Sequence, residues 1–129
     1  MDLIERAKAV IQTHEEYARH GDLELVMTNV DPDIVLVAAD SALVRGEDSF
    51  RAFYDGLLSM GQWDFTHDYE GADVIGALVF LHGVAPGTFK PNDGPASDFR
   101  NNFLHVLRPG EDGRLRIWRA AFAPAAPSS

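Results

Sequence analysis

From Asp2 to His20 the apolar and ring-bearing residues recur at three- and four-residue steps. Leu3, Ile4, Ala7, Val10, Ile11, His14, Tyr17 and Ala18 thereby share one face of a helix. Asp2, with Glu5 three positions on, reads as a capping box, and Gly21 stops the helix. Asp22 caps a second, shorter helix carrying Leu23, Val26 and Met27, which the Asp31-Pro32-Asp33 turn ends. Ile34 to Ala39 is an apolar, β-branched run of strand length, with a bend at Asp40-Ser41. Gly46-Glu47-Asp48-Ser49 opens a third helix, in which Phe50, Phe53, Tyr54, Leu57 and Leu58 form one stripe. Gly61 is expected to close it as the left-handed residue past the last turn.

Beyond Gly61 the pattern changes to extended runs separated by Gly, Pro, Asn and Asp clusters. The spacing predicts strands over Trp63 to Tyr69, Ile75 to Val84, Phe99 to Arg108 and Leu115 to Phe122. Residues Pro91 to Ser97 read as a loop, and Pro109-Gly110-Glu111-Asp112-Gly113 as a hairpin turn. Helices followed by strands give an α+β class, with three helices covering the concave face of a curved, mixed or antiparallel sheet. The strands carry apolar residues on both faces. A homodimer through the outer face is the expected consequence. One domain is expected over residues 1–123, followed by a Pro/Ala/Ser-rich tail over 124–129 that frays.

Composition narrows the partners. The chain has 129 residues, 46% hydrophobic and 24% charged, which is ordinary globular usage with no run long enough to cross a bilayer. Its N-terminus mixes charged and apolar residues from the start, so a cytoplasmic setting is expected. There is no cysteine, which excludes disulfides, thiolate metal sites and cysteine nucleophiles. A net charge of −9 repels phosphate backbones and anionic lipids, so neither nucleic acid nor membrane is an expected partner. A hydrophobic small molecule is. The chain also lacks a serine elbow, a glycine-rich phosphate loop and a paired-histidine metalloprotease helix. No cofactor is expected, and no metal, since His67, His82 and His105 lie apart without ligand-pair spacing.

Three stretches carry a family resemblance across nearly the whole chain. His20-Gly21-Asp22-Leu23 ends the first helix, Arg45-Gly46-Glu47-Asp48-Ser49-Phe50-Arg51-Ala52-Phe53-Tyr54 opens the third, and residues 112–122, from Asp112 to Phe122, form the last strand. In order and spacing they resemble the nuclear-transport-factor-2-like superfamily, which includes ketosteroid isomerases, SnoaL-like polyketide cyclases and limonene epoxide hydrolases. The epoxide-hydrolase triad is not matched: Ala120, Phe99 and Asn101 stand where that family has acid, arginine and second acid. The isomerase pattern runs without a gap from His105 to Phe122. It places His105 at the protonated aspartic acid, His14 at the oxyanion-hole tyrosine and Asp40 near the catalytic base.

The resemblance thus implies enolisation of a hydrophobic carbonyl compound, with Asp40 moving a proton while His14 and His105 steady the enolate. This division of labour is the one for which ketosteroid isomerase serves as a standard illustration. The same residues have structural readings. Asp40 suits a turn cap, and both histidines suit a core in which backbone groups satisfy them. Tyr17, Phe53, Tyr54, Trp63, Phe80, Asn101, Phe103, Trp118 and Phe122 are the expected pocket wall, in a fold where core and wall are nearly one surface. A pocket protein that only binds an apolar metabolite, or a structural dimer module, is the alternative.

Overall fold

The first helix, α1, spans Leu3–Arg19, and the Asp2 carboxylate caps it by accepting from the Glu5 N–H at 2.8 Å. Gly21 ends it at a φ of +68°, a conformation that would strain any side-chain-bearing residue. Helix α2 (Leu23–Met27) is capped by Asp22, whose side chain accepts from Leu25 N–H at 3.1 Å. Strand β1 (Val30–Ala38) and the two-residue β2 (Val44–Arg45) then precede helix α3 (Gly46–Ser59). The rest is β3 (Gly61–Phe65), β4 (Asp68–Ile75), β5 (Leu78–Pro91), β6 (Ser97–Pro109) and β7 (Leu115–Pro124). These elements come from a computed structural model, which describes residues 1–126.

The strands form one mixed sheet in the order β2-β1-β7-β6-β5-β3, with β4 also on β5. All pairs are antiparallel except β1 with β7. The long β5 serves two neighbours in turn, β4 through its first half and β3 through its second. The sheet curls into a half-barrel. Helix α1 lies over β3, β4, β5 and β7, and α3 lies over β1, β2 and β3. Ala7, Ile11 and Ala18 of α1 thereby meet Ile34, Leu81, Leu107 and Ile117 of the concave face. Full burial of each such Ile or Leu contributes roughly 1.5–3 kcal/mol.

Several boundaries differ from the sequence pattern, for local reasons. Asp31-Pro32-Asp33 is not a turn before the strand; it lies within β1, whose register to β7 shifts between Val30 and Val35. That irregularity absorbs Pro32, which has no N–H to give to a ladder. Buried Asp31 there accepts Arg108 Nε and Nη2 at 2.8 and 3.0 Å. Gly61 does not take the left-handed cap position but starts β3, where a Cβ would stand 2.1 Å from the Lys90 carbonyl oxygen. The expected strand from Trp63 to Tyr69 is two strands, broken at Thr66-His67, and Thr66 N–H donates to the Pro86 carbonyl at 3.1 Å. Ile75 ends β4, and the next strand begins at Leu78 after a turn at Gly76.

The last strand runs through Pro124, opposite Asn101, and Ala125 N–H donates to the Arg100 carbonyl at 2.9 Å. Of the expected tail, residues 127–129 lie outside the described residues.

The outer face of the sheet carries a row set by register: Val37 on β1, Ala121 on β7, Leu104 on β6 and His82 on β5. Val37 is 53% and Leu104 44% exposed. Among the described residues, no helix is long and apolar enough to cross a membrane.

Candidate functional site

Between the helices and the concave sheet lies a cavity of about 440 Å³, large enough for one drug-sized molecule. Its wall is mostly rings and aliphatic side chains. Phe50, Phe53, Leu57 and Leu58 come from α3, Trp63 and Phe65 from β3, and Phe99 and Phe103 from β6. Among the described residues, no Asp, Glu, Lys or Arg side chain lines it. Trp63 is held by its indole N–H, which donates to the Leu57 carbonyl at 2.7 Å and so ties β3 to the end of α3.

Ser41, Ser97 and Asn101 are spread along the wall, whereas its imidazoles cluster. His14, from the buried stripe of α1, and His105, from the inward-facing positions of β6, both line the cavity and are almost fully buried. Burial first, and electrostatic repulsion from the nearby His67 second, push His14 down to about 3. The same two causes, followed by His14, hold His105 well below the ordinary histidine range. Both imidazoles are therefore neutral near pH 7. Among the described residues, neither Nδ1 atom has a hydrogen-bond partner, so each imidazole keeps one polar atom open. His14 Nε2 meets the Tyr54 hydroxyl at 3.0 Å.

A third imidazole completes the group. His67, at the break between β3 and β4, also lines the cavity, with its ring centroid 5.4 Å from that of His105. Its Nδ1 lies 2.6 Å from Glu15 Oε2, and only 4% of the His67 side chain and 11% of the Glu15 side chain are exposed. Glu15 stands behind His67, outside the cavity wall. The carboxylate accepts from Nδ1–H, which fixes the tautomer and leaves Nε2 as the lone-pair nitrogen. Phe65, Tyr69 and Phe103 pack around His67 and keep the pair largely dry.

Residues 10–119 match the family of SnoaL-like domains. The chain belongs to that family. Solved structures agree on the fold. A ketosteroid isomerase-like protein from Erwinia carotovora atroseptica SCRI1043 superposes with a TM-score of 0.85 at 16% identity, over 96% of this chain and 97% of that one. A nuclear transport factor 2-like superfamily protein from Salmonella enterica serovar Typhimurium LT2 does so with 0.85 at 12% identity, over 98% and 94%. A Novosphingobium aromaticivorans DSM 12444 protein, named provisionally as a scytalone dehydratase, gives 0.86 at 9% identity, over 95% and 83%. At these identities the likeness is one of fold. Among curated proteins none matches the sequence.

Of the residues expected at the site, this SnoaL-like domain brings His14, Phe53, Tyr54, Trp63, Asn101, Phe103, His105 and Phe122 to the cavity wall. Four do not reach it. Asp40 is an exposed turn residue with a φ of +59°, although its neighbours Ala39 and Ser41 touch the cavity. Strand alternation explains Phe80 and Trp118: Phe80 sits between inward-facing Val79 and Leu81, and Trp118 is covered on the outer side by the Arg108 and Arg119 guanidiniums. Tyr17 packs at the edge of the core, outside the wall. His82 is on the outer face too, its ring against Gly71.

His67 and Glu15 form a buried pair that the pattern-based reading did not bring together, and both left a signal. Trp63, Phe65, His67 and Tyr69 alternate with Asp64, Thr66 and Asp68, which aims His67 inward. Glu15 follows Ile11 by four and precedes Ala18 by three, so it shares the buried stripe of α1 and needs a partner.

Proposed function

We propose that this SnoaL-like domain is an enzyme that transfers protons on an uncharged, apolar carbonyl compound, with His67 as the base in place of Asp40. The observation carrying this reading is the Glu15–His67 pair, 2.6 Å apart, on the wall of a cavity otherwise nearly free of charge. His67 Nε2 takes a proton from the carbon beside the carbonyl. The C–H electron pair moves into a new C=C bond and the carbonyl electrons move onto oxygen, giving an enolate. Glu15 stabilises the imidazolium that forms, and neutral His14 and His105 supply N–H donors to the oxygen. Where the substrate has a C=C bond between its β- and γ-carbons, the anion is a dienolate; return of the proton from His67 to the γ-carbon re-forms C=O, leaves the C=C bond between the α- and β-carbons and completes an isomerisation, and no cofactor enters the balance.

The names carried by solved relatives, isomerase-like and dehydratase, are compatible with such proton chemistry. A test uses bicyclic and tricyclic ketones such as 2-tetralone in D₂O, with NMR following loss of the α-protons. Exchange above the buffer rate, abolished in His67→Gln, supports the enzyme. A ketone that binds tightly without accelerated exchange overturns it and leaves a binding protein.

Asp40→Gly is expected to leave that exchange unchanged. Its effect on stability is also small, because relief of a left-handed side-chain conformation, about 1 kcal/mol, is offset by the glycine's greater unfolded-state entropy. Thermal unfolding of the variant checks the second point, and an exchange rate lowered tenfold would restore Asp40 to the chemistry.

For the outer face the proposal is a second copy of the chain. In its favour is the row of Val37, Ala121 and Leu104, which runs across three adjacent strands with two large exposed apolar side chains. Sedimentation velocity is expected to show a dimer for the native chain and a monomer for Leu104→Asp.

A further inference from the structure

The Tyr54 hydroxyl and His14 Nε2 are 3.0 Å apart, both residues are buried, and both line the cavity. Distance alone does not say which of them donates. Two assignments exist. If His14 carries its proton on Nε2 and donates to the phenol oxygen, the Tyr54 proton has no acceptor among the described residues, and the His14 Nδ1 lone pair has no donor. If Tyr54 donates to Nε2, the Nδ1–H and the phenol oxygen's lone pairs stay open instead, so either assignment leaves one donor and one acceptor unmatched. They differ in strength. A phenol O–H is a more acidic donor than a neutral imidazole N–H, and an imidazole nitrogen is a far more basic acceptor than a phenol oxygen, so Tyr54 donating to Nε2 is the stronger bond.

The surroundings hold the donor in position. Phe50 and Tyr54 are one helical turn apart on α3, and their rings stack at 5.3 Å between centroids and 20° between planes. The His14 ring meets Tyr54 edge-on at 5.4 Å and Phe65 at 6.3 Å, so it is boxed between α3 and β3. Burial raises the Tyr54 phenol above its ordinary range, which keeps it a proton donor throughout the physiological range.

We propose that Tyr54 is a positioning residue that fixes His14 as the Nδ1–H tautomer, so that His14 offers a proton, and not a lone pair, to the oxygen of a bound carbonyl compound. The role for His14 rests on the proton-transfer reading above; the tautomer itself does not. It adds a selectivity: beside His14 the cavity favours ligands whose oxygen is a strong acceptor, such as a ketone or an enolate, over those whose oxygen is a weak one, such as a neutral phenol.

The test uses the full chain labelled with ¹⁵N-histidine. Long-range ¹H–¹⁵N spectra at pH 7 separate protonated from unprotonated ring nitrogens, and the loss of signals in His14→Gln assigns His14. The expected wild-type spectrum shows Nδ1 protonated and Nε2 bare. In Tyr54→Phe, which retains the ring stack, His14 is expected to shift toward the Nε2–H form. Affinity for 2-tetralone, whose carbonyl oxygen can only accept, is expected to fall about three- to tenfold, the worth of one hydrogen bond. A wild-type spectrum with Nε2 protonated overturns the proposal without any variant. So does a Tyr54→Phe spectrum in which the tautomer is unchanged. If the tautomer is as stated but no ketone is exchanged, the proton-transfer reading alone fails.

Discussion

His67→Gln is expected to lower the rate of α-proton exchange on a bound ketone by roughly 10²–10⁴-fold, the usual contribution of a positioned general base. Glutamine is the informative replacement because its amide N–H can still donate to the Glu15 carboxylate, which would otherwise be left buried and unpaired. The melting temperature should therefore change far less than the rate. Glu15→Gln removes the negative charge that stabilises the His67 imidazolium, while its amide oxygen can still accept from Nδ1–H. It is expected to lose a smaller part of the same factor. Binding of 2-naphthol should survive both substitutions, because the Phe and Leu wall that buries the probe is untouched. Matched losses of rate and affinity in His67→Gln would mean that His67 shapes the cavity and does not act as a base.

The fold was legible in the sequence where one period dominates. The stripes of α1 and α3, the caps at Asp2 and Asp22 and the stop at Gly21 are local features, written in the residues that form them. What local pattern does not carry is pairing. Gly61 resembles a helix end, yet its role comes from Lys90, which approaches too closely for a side chain. Asp31-Pro32-Asp33 resembles a turn, yet Arg108, far along the chain, draws it into the sheet.

The site shows the same division. His14 and His105 were visible because each lies on an inward-facing pattern, whereas Asp40 came from the family pattern alone and sits in an exposed turn. His67 and Glu15 are distant in sequence and meet because β5 carries β3 on one half and β4 on the other, placing the break beneath α1. Neither residue announces the other until the topology is known.

The second large effect is on stability in mild acid. His14 and His105 are neutral in the folded chain, with His14 down at about 3 and His105 well below its ordinary value, chiefly because burial strips their hydration. In the unfolded chain each titrates near 6.5. Below that pH the unfolded state binds protons that the folded state does not, so stability falls as pH falls and is greatest above about 7. Each histidine then costs roughly 1.4 kcal/mol per pH unit, or about 2 kcal/mol by pH 5. Two of them remove on the order of 4 kcal/mol from a total that for such domains is only about 5–15 kcal/mol. Urea unfolding at pH 7.5, 6 and 5 should show this loss before the carboxylates begin to titrate. His105→Gln should flatten about half of the slope while lowering stability at pH 7.5. A midpoint that stays constant from pH 7.5 to 5 would mean that the two imidazoles accept protons inside the fold, and the neutral donors on which the enolate depends would not exist.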